Sequence, residues 1–453
     1  MSKDLRQTWS RSKIFRIALV VAVMYTGLRL IVHGVYLAML LSPDQGVGDG
    51  LPEWADAEGP TIPNDLQDYL TAASHLQNRQ DLYLKGKLDR VEFYQYAPSY
   101  ALAFVPFLWL SPTAVVTVHT LLHIAAYGLL YWLWGRIFCQ MGLDEAKRVL
   151  IWTLPVWLVF SAFWSDLGYL NIYIIMALLS TLLIDAILNE RLHWSLLWLS
   201  IILQTKPQWA FAVAVPLFLG RYRLFIKLTA TAIVAYAAIM GITMLVVGPR
   251  YGWGQYVDYI HFLLNMPRNF PWRGPDAPFL GYNHSVTQVV VYLLGASSDT
   301  LRLVAMIKVL LLLPLVAVAL RHVFRSDGRP ARQVPQLGLD LAFVLYLGAF
   351  IWLDVVWELS LGIAVFTYLL ATSERCAKIY VWAVFLPYAL IDFWQLASLG
   401  VLGMDVIAPG PYVLTDPSVY IPLVMIVTLA FYALLVRRLW TAAPLRHAAG
   451  ARG

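Results

Sequence analysis

Two carboxylates three residues apart are the first feature that could do chemistry. In Asn64-Asp65-Leu66-Gln67-Asp68-Tyr69, an Asn suited to capping a helix is followed by Asp65 and Asp68, and on a helix that spacing sets both side chains on one face. A carboxylate so placed can take a proton from a hydroxyl, bind a cation or hold a sugar hydroxyl; the other reading is a pair of first-turn acids favoured by the helix dipole. Asp81-Leu82-Tyr83 and Phe93-Tyr94-Gln95-Tyr96-Ala97-Pro98 follow. This aromatic cluster suits sugar rings, or forms an ordinary belt where lipid meets water.

Lys206 stands between two apolar segments in Gln204-Thr205-Lys206-Pro207-Gln208. Pro207 breaks a helix there, and an ionisable residue at such a depth is a functional candidate by default, with a lipid phosphate or a carboxylate such as Asp166 as its partner. Asp166 precedes Leu167-Gly168-Tyr169-Leu170-Asn171, whose Asn171 binds a hydroxyl or caps the next helix. In Gly281-Tyr282-Asn283-His284-Ser285, polar groups open a short helix whose N-terminus suits an anion. His284 there offers a proton or a hydrogen bond to a leaving phosphate, and the alternative for Asn283 and Ser285 is capping. Asp354 and Glu358 lie one helical turn apart around Trp357 at a span end, and Arg29 and His33 share that spacing. Each of these pairs is an ion pair or part of a polar cavity.

The elements that must position these groups are set by composition. Of 453 residues, 60% are hydrophobic and 13% charged, which makes lipid the solvent for most of the chain. A helix needs about 20 apolar residues to cross the hydrocarbon. The sequence predicts an all-α polytopic membrane protein of one domain, 1–453. It has about twelve transmembrane helices, near 14–41, 112–138, 147–164, 170–188, 193–204, 207–219, 224–247, 299–323, 337–353, 357–372, 379–399 and 418–437, plus two short re-entrant or interfacial pieces at 98–110 and 285–295. Most of the 33 Lys and Arg residues fall on one side of that layout, which places both termini in the cytoplasm and the long loops 42–97 and 248–284 outside the plasma (inner) membrane. The first loop is acidic, and the second carries Arg250, Arg268 and Arg273.

The net charge of +6 is scattered, so no nucleic-acid surface is expected. Cys139 and Cys376, both expected near the cytoplasmic face, imply neither a disulfide framework nor a thiolate metal site. The basic start runs into an apolar span with no small-residue cleavage site, so the first span is expected to stay. No Gly-rich phosphate loop is present, and no cofactor is expected, although an Asp-rich loop could hold a divalent cation.

Taken in order, these pieces resemble the membrane glycosyltransferases of the C-type fold, in particular glycosyltransferase family 87, the polyprenyl-phosphate-mannose-dependent mannosyltransferases. The resemblance rests on Asp65-x-x-x-Tyr69 with Ala72-Ala73, Asp81-Leu82-Tyr83, and Tyr96-Ala97-Pro98 with the apolar run ending in Leu110-Ser111-Pro112. Gly168-x-x-Asn171, Thr205-Lys206-Pro207 and Asn283-His284-Ser285 continue it. The chain departs from the family at Gly168-Tyr169-Leu170-Asn171, where Gly-Gln-x-Asn is usual, at Tyr96-Ala97-Pro98, where Tyr-Pro-Pro is usual, and at Trp357-Glu358, where a Trp with His is common.

The resemblance implies an inverting transfer of a sugar, mannose, from a polyprenyl-phosphate donor in the membrane lipid to a hydroxyl of a glycan or glycolipid acceptor on the outer face. It ranks Asp65 above Asp68 as the base. Tyr69, Tyr83, Tyr96, Asn171, Asn283 and Glu358 are then substrate contacts, and Lys206, His284, Arg250, Arg268 and Arg273 steady the phosphate. A transporter or flippase of lipid-linked glycans, or a noncatalytic membrane scaffold, would also need polar groups among apolar spans.

Overall fold

Apolar runs opened by capping residues become helices, and the described residues contain no strand. The computed structural model describes residues 2–42, 62–85, 88, 94–277, 280, 283–325, 335–394, 396 and 422–442. Most of the acids of the loop expected outside, 42–97 (Asp44, Asp49, Glu53, Asp56, Glu58, Asp89, Glu92), together with Gly281 and Tyr282, lie outside the described residues. A short helix α1 (Ser2–Arg11) leads into α2 (Lys13–Leu40), where Ser12 Oγ accepts a hydrogen bond from Phe15 N at 3.2 Å. That bond satisfies one of the orphan amides every helix start carries. After α3 (Asn64–Gln77), α4 (Pro98–Phe104) passes through a 3-10 turn (Val105–Trp109) to Ser111, which caps α5 (Pro112–Gln140) in the same way, with Pro112 in the first turn.

The next expected span is broken. Helix α6 (Asp144–Trp152) meets the pair α7 (Leu154–Val159) and α8 (Ser161–Tyr169) at a bend of 52°. Pro155 sits in the first turn of α7, and Phe160 between α7 and α8 is extended. Helices α9 (Tyr173–Leu188) and α10 (Leu192–Thr205) follow, and α10 stops at Lys206 because the residue before a proline is disfavoured in helical geometry. The chain continues as a 3-10 helix (Pro207–Ala214) into α11 (Val215–Phe218). Helices α12 (Tyr222–Val247), α13 (Pro249–Asn269), α14 (Val286–Leu294), α15 (Ser298–Arg325), α16 (Pro335–Trp352), α17 (Gly362–Thr372), α18 (Arg375–Ala389) and α19 (Leu423–Thr441) complete the described chain.

Six of these, α2, α5, α12, α15, α16 and α19, are long and apolar enough to cross a membrane, and the bent α6 to α8 run would make a seventh. The chain is therefore a multi-pass membrane protein. Twelve such segments were expected; α9, α10, the Pro207–Phe218 pair and α17 instead form apolar helices of 10–17 residues, interrupted by Asn171, by Lys206-Pro207 and by the turn before Gly362. On α12 and α15, side chains such as Val234, Leu245, Leu310 and Phe324 are exposed, as lipid-facing surfaces require. The buried centre lies among α5, α9, the Pro207–Ala214 helix, α16, α17 and α19, where α9 packs on both α5 and α10 and α16 packs on α19.

Arg29 and His33, expected as a pair, do not share one partner. Asp392 holds Arg29 by bonds of 2.7 Å from Nε and 3.1 Å from Nη2, and Tyr25 donates to the same carboxylate. The guanidinium also lies 5.5 Å from the Trp164 ring centre.

The turn from α12 into α13 is tight. Gly248 has φ 103°, and a Cβ on Gly252 would lie 2.9 Å from Met244 Cα. Gly252→Ala is therefore expected to destabilise the protein by about 1–3 kcal/mol through overpacking, read as a lower thermal midpoint in detergent. Gly254→Ala, where a Cβ meets nothing within 4 Å, should leave the midpoint unchanged or slightly raised.

Candidate functional site

The first functional element is α3. Pro63 occupies the cap position and Asn64 is the first helical residue, which corrects the expectation that Asn64 caps the helix; the fixed φ of Pro63 sets the entry. Asp65 and Asp68 are both half-buried on this helix, while Leu66, Tyr69, Leu70, Ala73 and Leu76 turn inward. The Tyr69 ring meets Tyr96, Tyr100 and Phe104 edge-on at centroid distances of 5.2, 5.3 and 5.2 Å, and Tyr96 stacks on Tyr100 at 4.8 Å. Tyr83 Oη donates to Tyr96 O at 2.6 Å and Tyr94 Oη to Ala97 O at 2.8 Å, which fixes the Tyr96-Ala97-Pro98 turn. Burial, then Tyr96, Tyr100 and Asp65, push the Tyr69 hydroxyl well above its ordinary value, so it remains a hydrogen-bond donor.

Its acceptor is Asn171 Oδ1 at 3.3 Å, which also accepts from Ile172 N at 2.7 Å. Asn171 thus serves the local turn and the tyrosine wall together. The turn is built by Leu170, at a left-handed φ of 51°, and by Asp166, whose carboxylate accepts from Tyr173 N and Ile174 N at 3.0 Å each to start α9. His123 of α5 supports the turn from behind: Nε2 faces Asn171 O and lies 3.6 Å from Asp166 Oδ2, and Nδ1 faces His119 O at 2.6 Å. His123, Tyr100 and Tyr173 were not singled out in the sequence. A polar residue in a span, repeated one helical turn away as His119, is a signal that could have found His123.

Lys206, at the end of α10, is buried with its ammonium 4.2 Å from the Tyr173 ring centre and 4.9 Å from that of Tyr96. Asp166, an expected partner, spends its oxygens on the amides of α9, and among the described residues Lys206 makes no direct ion pair. Asp65 and Asp166 both act on it through space, Asp65 with the larger effect. Asp65 also acts on Tyr69, Tyr96, Tyr100 and Tyr173. Lys206 thus sits against Tyr96 and Tyr173, Tyr96 packs on Tyr69 and Tyr100, and Asp65 lies within electrostatic reach of this tyrosine group and of the ammonium. A cavity of about 260 Å³ opens beside it, lined by Tyr96, Lys206, Gln208, Tyr259 and Asp354 with Leu263, Met266 and Trp352 on its apolar side.

The segment 353–361 is not the helix end that the spacing of Asp354 and Glu358 predicted. Asn283 pins it in non-helical form, donating to Asp354 O at 3.0 Å and accepting from Val356 N at 3.0 Å, while His284 N bonds Val356 O at 2.9 Å. Asp354 pairs with Lys308 at 2.6 Å and accepts from Thr287, and Glu358 accepts from Tyr388 at 2.6 Å. The backbone at Trp357 and the Glu358 carboxylate both act on the Tyr173 hydroxyl, and the Trp357 ring meets Tyr169 edge-on at 5.7 Å. Burial lowers His284 to about 4, so at neutral pH its imidazole offers a hydrogen bond and not an acidic proton. Ser285 caps α14 as expected, accepting from Gln288 N at 3.0 Å.

The three arginines diverge. Arg268 is exposed in the last turn of α13, just past the cavity residues Met266 and Pro267, and the Arg273 backbone is held by Gln288. Arg250 is exposed at the opposite end of α13, more than about 20 Å from Met266 at 1.5 Å per residue. Among the described residues no three His, Cys, Asp or Glu side chains gather as a metal site. Asn283→Ala removes the bonds that pin 353–356 and is expected to cost about 1–3 kcal/mol, read as a lower thermal midpoint. Arg268→Ala, a surface change, should move that midpoint little.

The family model described as glycosyltransferase family 87 matches residues 94–346. The match begins at the Tyr94 turn and ends within α16, so α3, with Asp65 and Asp68, precedes it. No curated protein and no solved structure matches the chain significantly.

Proposed function

The chain belongs to glycosyltransferase family 87 and is a membrane glycosyltransferase, and on that premise we propose that it transfers mannose, with inversion, from a polyprenyl-phosphate donor to a hydroxyl of a glycan or glycolipid acceptor. Reaction takes place on the outer face of the plasma membrane, with both termini in the cytoplasm and the bundle of C-type architecture. The acceptor oxygen attacks the anomeric carbon as Asp65 takes its proton. The bond from that carbon to the phosphate oxygen breaks, its electron pair leaves with the phosphate, and Lys206 meets the developing charge. His284 adds a neutral hydrogen bond, with Arg268 and Arg273 as outlying cations.

The observation that supports this reading is Lys206, held buried against Tyr96 and Tyr173 in the wall of a cavity also lined by Leu263, Met266 and Trp352, with Asp65 of a separate helix in electrostatic reach. A leaving phosphate needs a cation, an attacking hydroxyl needs a base, and a prenyl chain needs an apolar wall. Asp68 lies on the same helix face and is the second candidate for the base. The test is protein reconstituted in lipid nanodiscs with radiolabelled polyprenyl-phosphate mannose and a panel of glycan and glycolipid acceptors. Labelled product whose new linkage is of opposite anomeric configuration to the donor is expected. Transfer from nucleotide sugars alone would overturn the donor assignment, and donor movement across vesicles without transfer would return the transporter reading.

A further inference from the structure

Helix α13 has three faces at helical spacing. Gly252, Tyr256 and Tyr259 turn into the protein, whereas Trp253, Ile260 and Leu264 are exposed on a face suited to lipid. The third face is a polar stripe that changes role along its length. At its start, Tyr251 Oη donates to Gln80 O at 2.6 Å and Gln255 Oε1 accepts from Leu82 N at 2.9 Å, so the stripe holds the chain leaving α3. From Asp258 onward, His261, Asn265 and Asn269 face a cleft of about 270 Å³ whose opposite wall includes Tyr83. A Leu88 N to Asn269 O bond of 2.8 Å closes one end, and Lys85, 3.6 Å from Asp258, stands at the other.

The chemistry of this cleft differs from that beside Lys206. The side chains of His261 and Asn269 make no hydrogen bond among the described residues, and Asn265 uses its amide nitrogen on His261 O at 2.9 Å, which leaves its oxygen to the cleft. Uncharged donors and acceptors alternate, with a tyrosine opposite. With Leu84, Leu88, Phe262 and Met266 also in the lining, that set fits both the hydroxyls and the apolar faces of a sugar ring, and the cation of the cleft, Lys85, is already paired with Asp81 and Asp258. Met266 lines both cavities, and the Tyr83 hydroxyl is bonded to Tyr96 O, so the cleft adjoins the cavity that Lys206 lines.

We propose that this cleft is a saccharide subsite, holding a sugar unit of the acceptor glycan next to the one that reacts. The proposal rests on the glycosyltransferase reading. The first experiment needs no turnover: saturation-transfer NMR on nanodisc-embedded protein with octyl disaccharides of manno and gluco configuration. Contact is expected for wild type and for Asp65→Asn, and loss of contact for His261→Ala/Asn265→Ala; no contact across the panel, or contact retained in the double variant, overturns the subsite. The second is kinetic. The double variant should raise the KM of a disaccharide acceptor about tenfold, as two lost hydrogen bonds predict, with the KM of a monosaccharide acceptor and of the donor unchanged. A shift confined to the donor KM would assign the cleft to the donor sugar and overturn the acceptor assignment. Contact without transfer from any donor keeps the subsite and removes the transferase mechanism, whereas transfer that ignores the double variant does the reverse.

Discussion

Replacing Asp65 with Asn is expected to lower kcat for sugar transfer by about 10²–10⁴-fold, the range of a lost general base. The substitution is nearly isosteric, and the position is half-buried on a helix that is anchored by other residues. The fold loses a first-turn charge, worth about 0.3–1 kcal/mol at the helix N-terminus, and the support that Asp65 gives the Lys206 ammonium through space. Any change in donor affinity and thermal midpoint should be small beside the loss in kcat, so the two effects separate. Asp68→Asn provides the comparison: it removes the same charge from the same face, and turnover should fall by no more than a few-fold. Full activity in Asp65→Asn with collapse in Asp68→Asn would exchange the two roles.

Lys206→Ala should reduce kcat/KM for the donor by about 10²–10³-fold, the usual effect of removing one group that stabilises developing charge. Ring faces contribute roughly 0.5–2 kcal/mol to a cation, less than the several kcal/mol of desolvation that a buried ion carries. Asp65 and Asp166 help from a distance, and an anion in the cavity would complete the site. Lys206→Arg retains the charge and should recover part of the loss; Lys206→Met should not. Binding of unlabelled polyprenyl phosphate, measured in nanodiscs, should weaken with Ala and Met. Unchanged phosphate affinity and turnover in Lys206→Ala would make the lysine structural.

What could be read from sequence depended on the range of the force involved. Long spans such as α2, α5, α12 and α15 are legible because each is a local property, a long apolar run, opened in α2, α5 and α15 by a capping serine. The bend at Thr153 to Pro155 was smoothed over, since one proline in an apolar window does not say whether it starts a helix or kinks one. Asp354 and Glu358 were misread for the opposite reason: their spacing is helical, but Asn283, 71 residues earlier, holds the first of them in another geometry. The Lys206-Pro207 break and Tyr96 were visible, and the meeting of the ammonium with Tyr96 and Tyr173 was not, because the two tyrosines come from different elements. His119 and His123, one helical turn apart within an apolar span, carried a signal in that spacing, but nothing local pointed from them to the turn at Asn171.

The Arg29 to Asp392 pair has a consequence for how the chain is made. The partners are separated by 363 residues, so at a synthesis rate of about 5–20 residues per second the first helix waits roughly 20–70 s for its counter-ion. During that interval an arginine within a membrane-length helix carries an insertion penalty of about 2.5–3.5 kcal/mol if it reaches the hydrocarbon centre. The first helix is then held at the insertion machinery, or shielded by an early neighbour such as α7, against which it packs. The α2 span is thus locked by a carboxylate that leaves the ribosome 363 residues after its arginine.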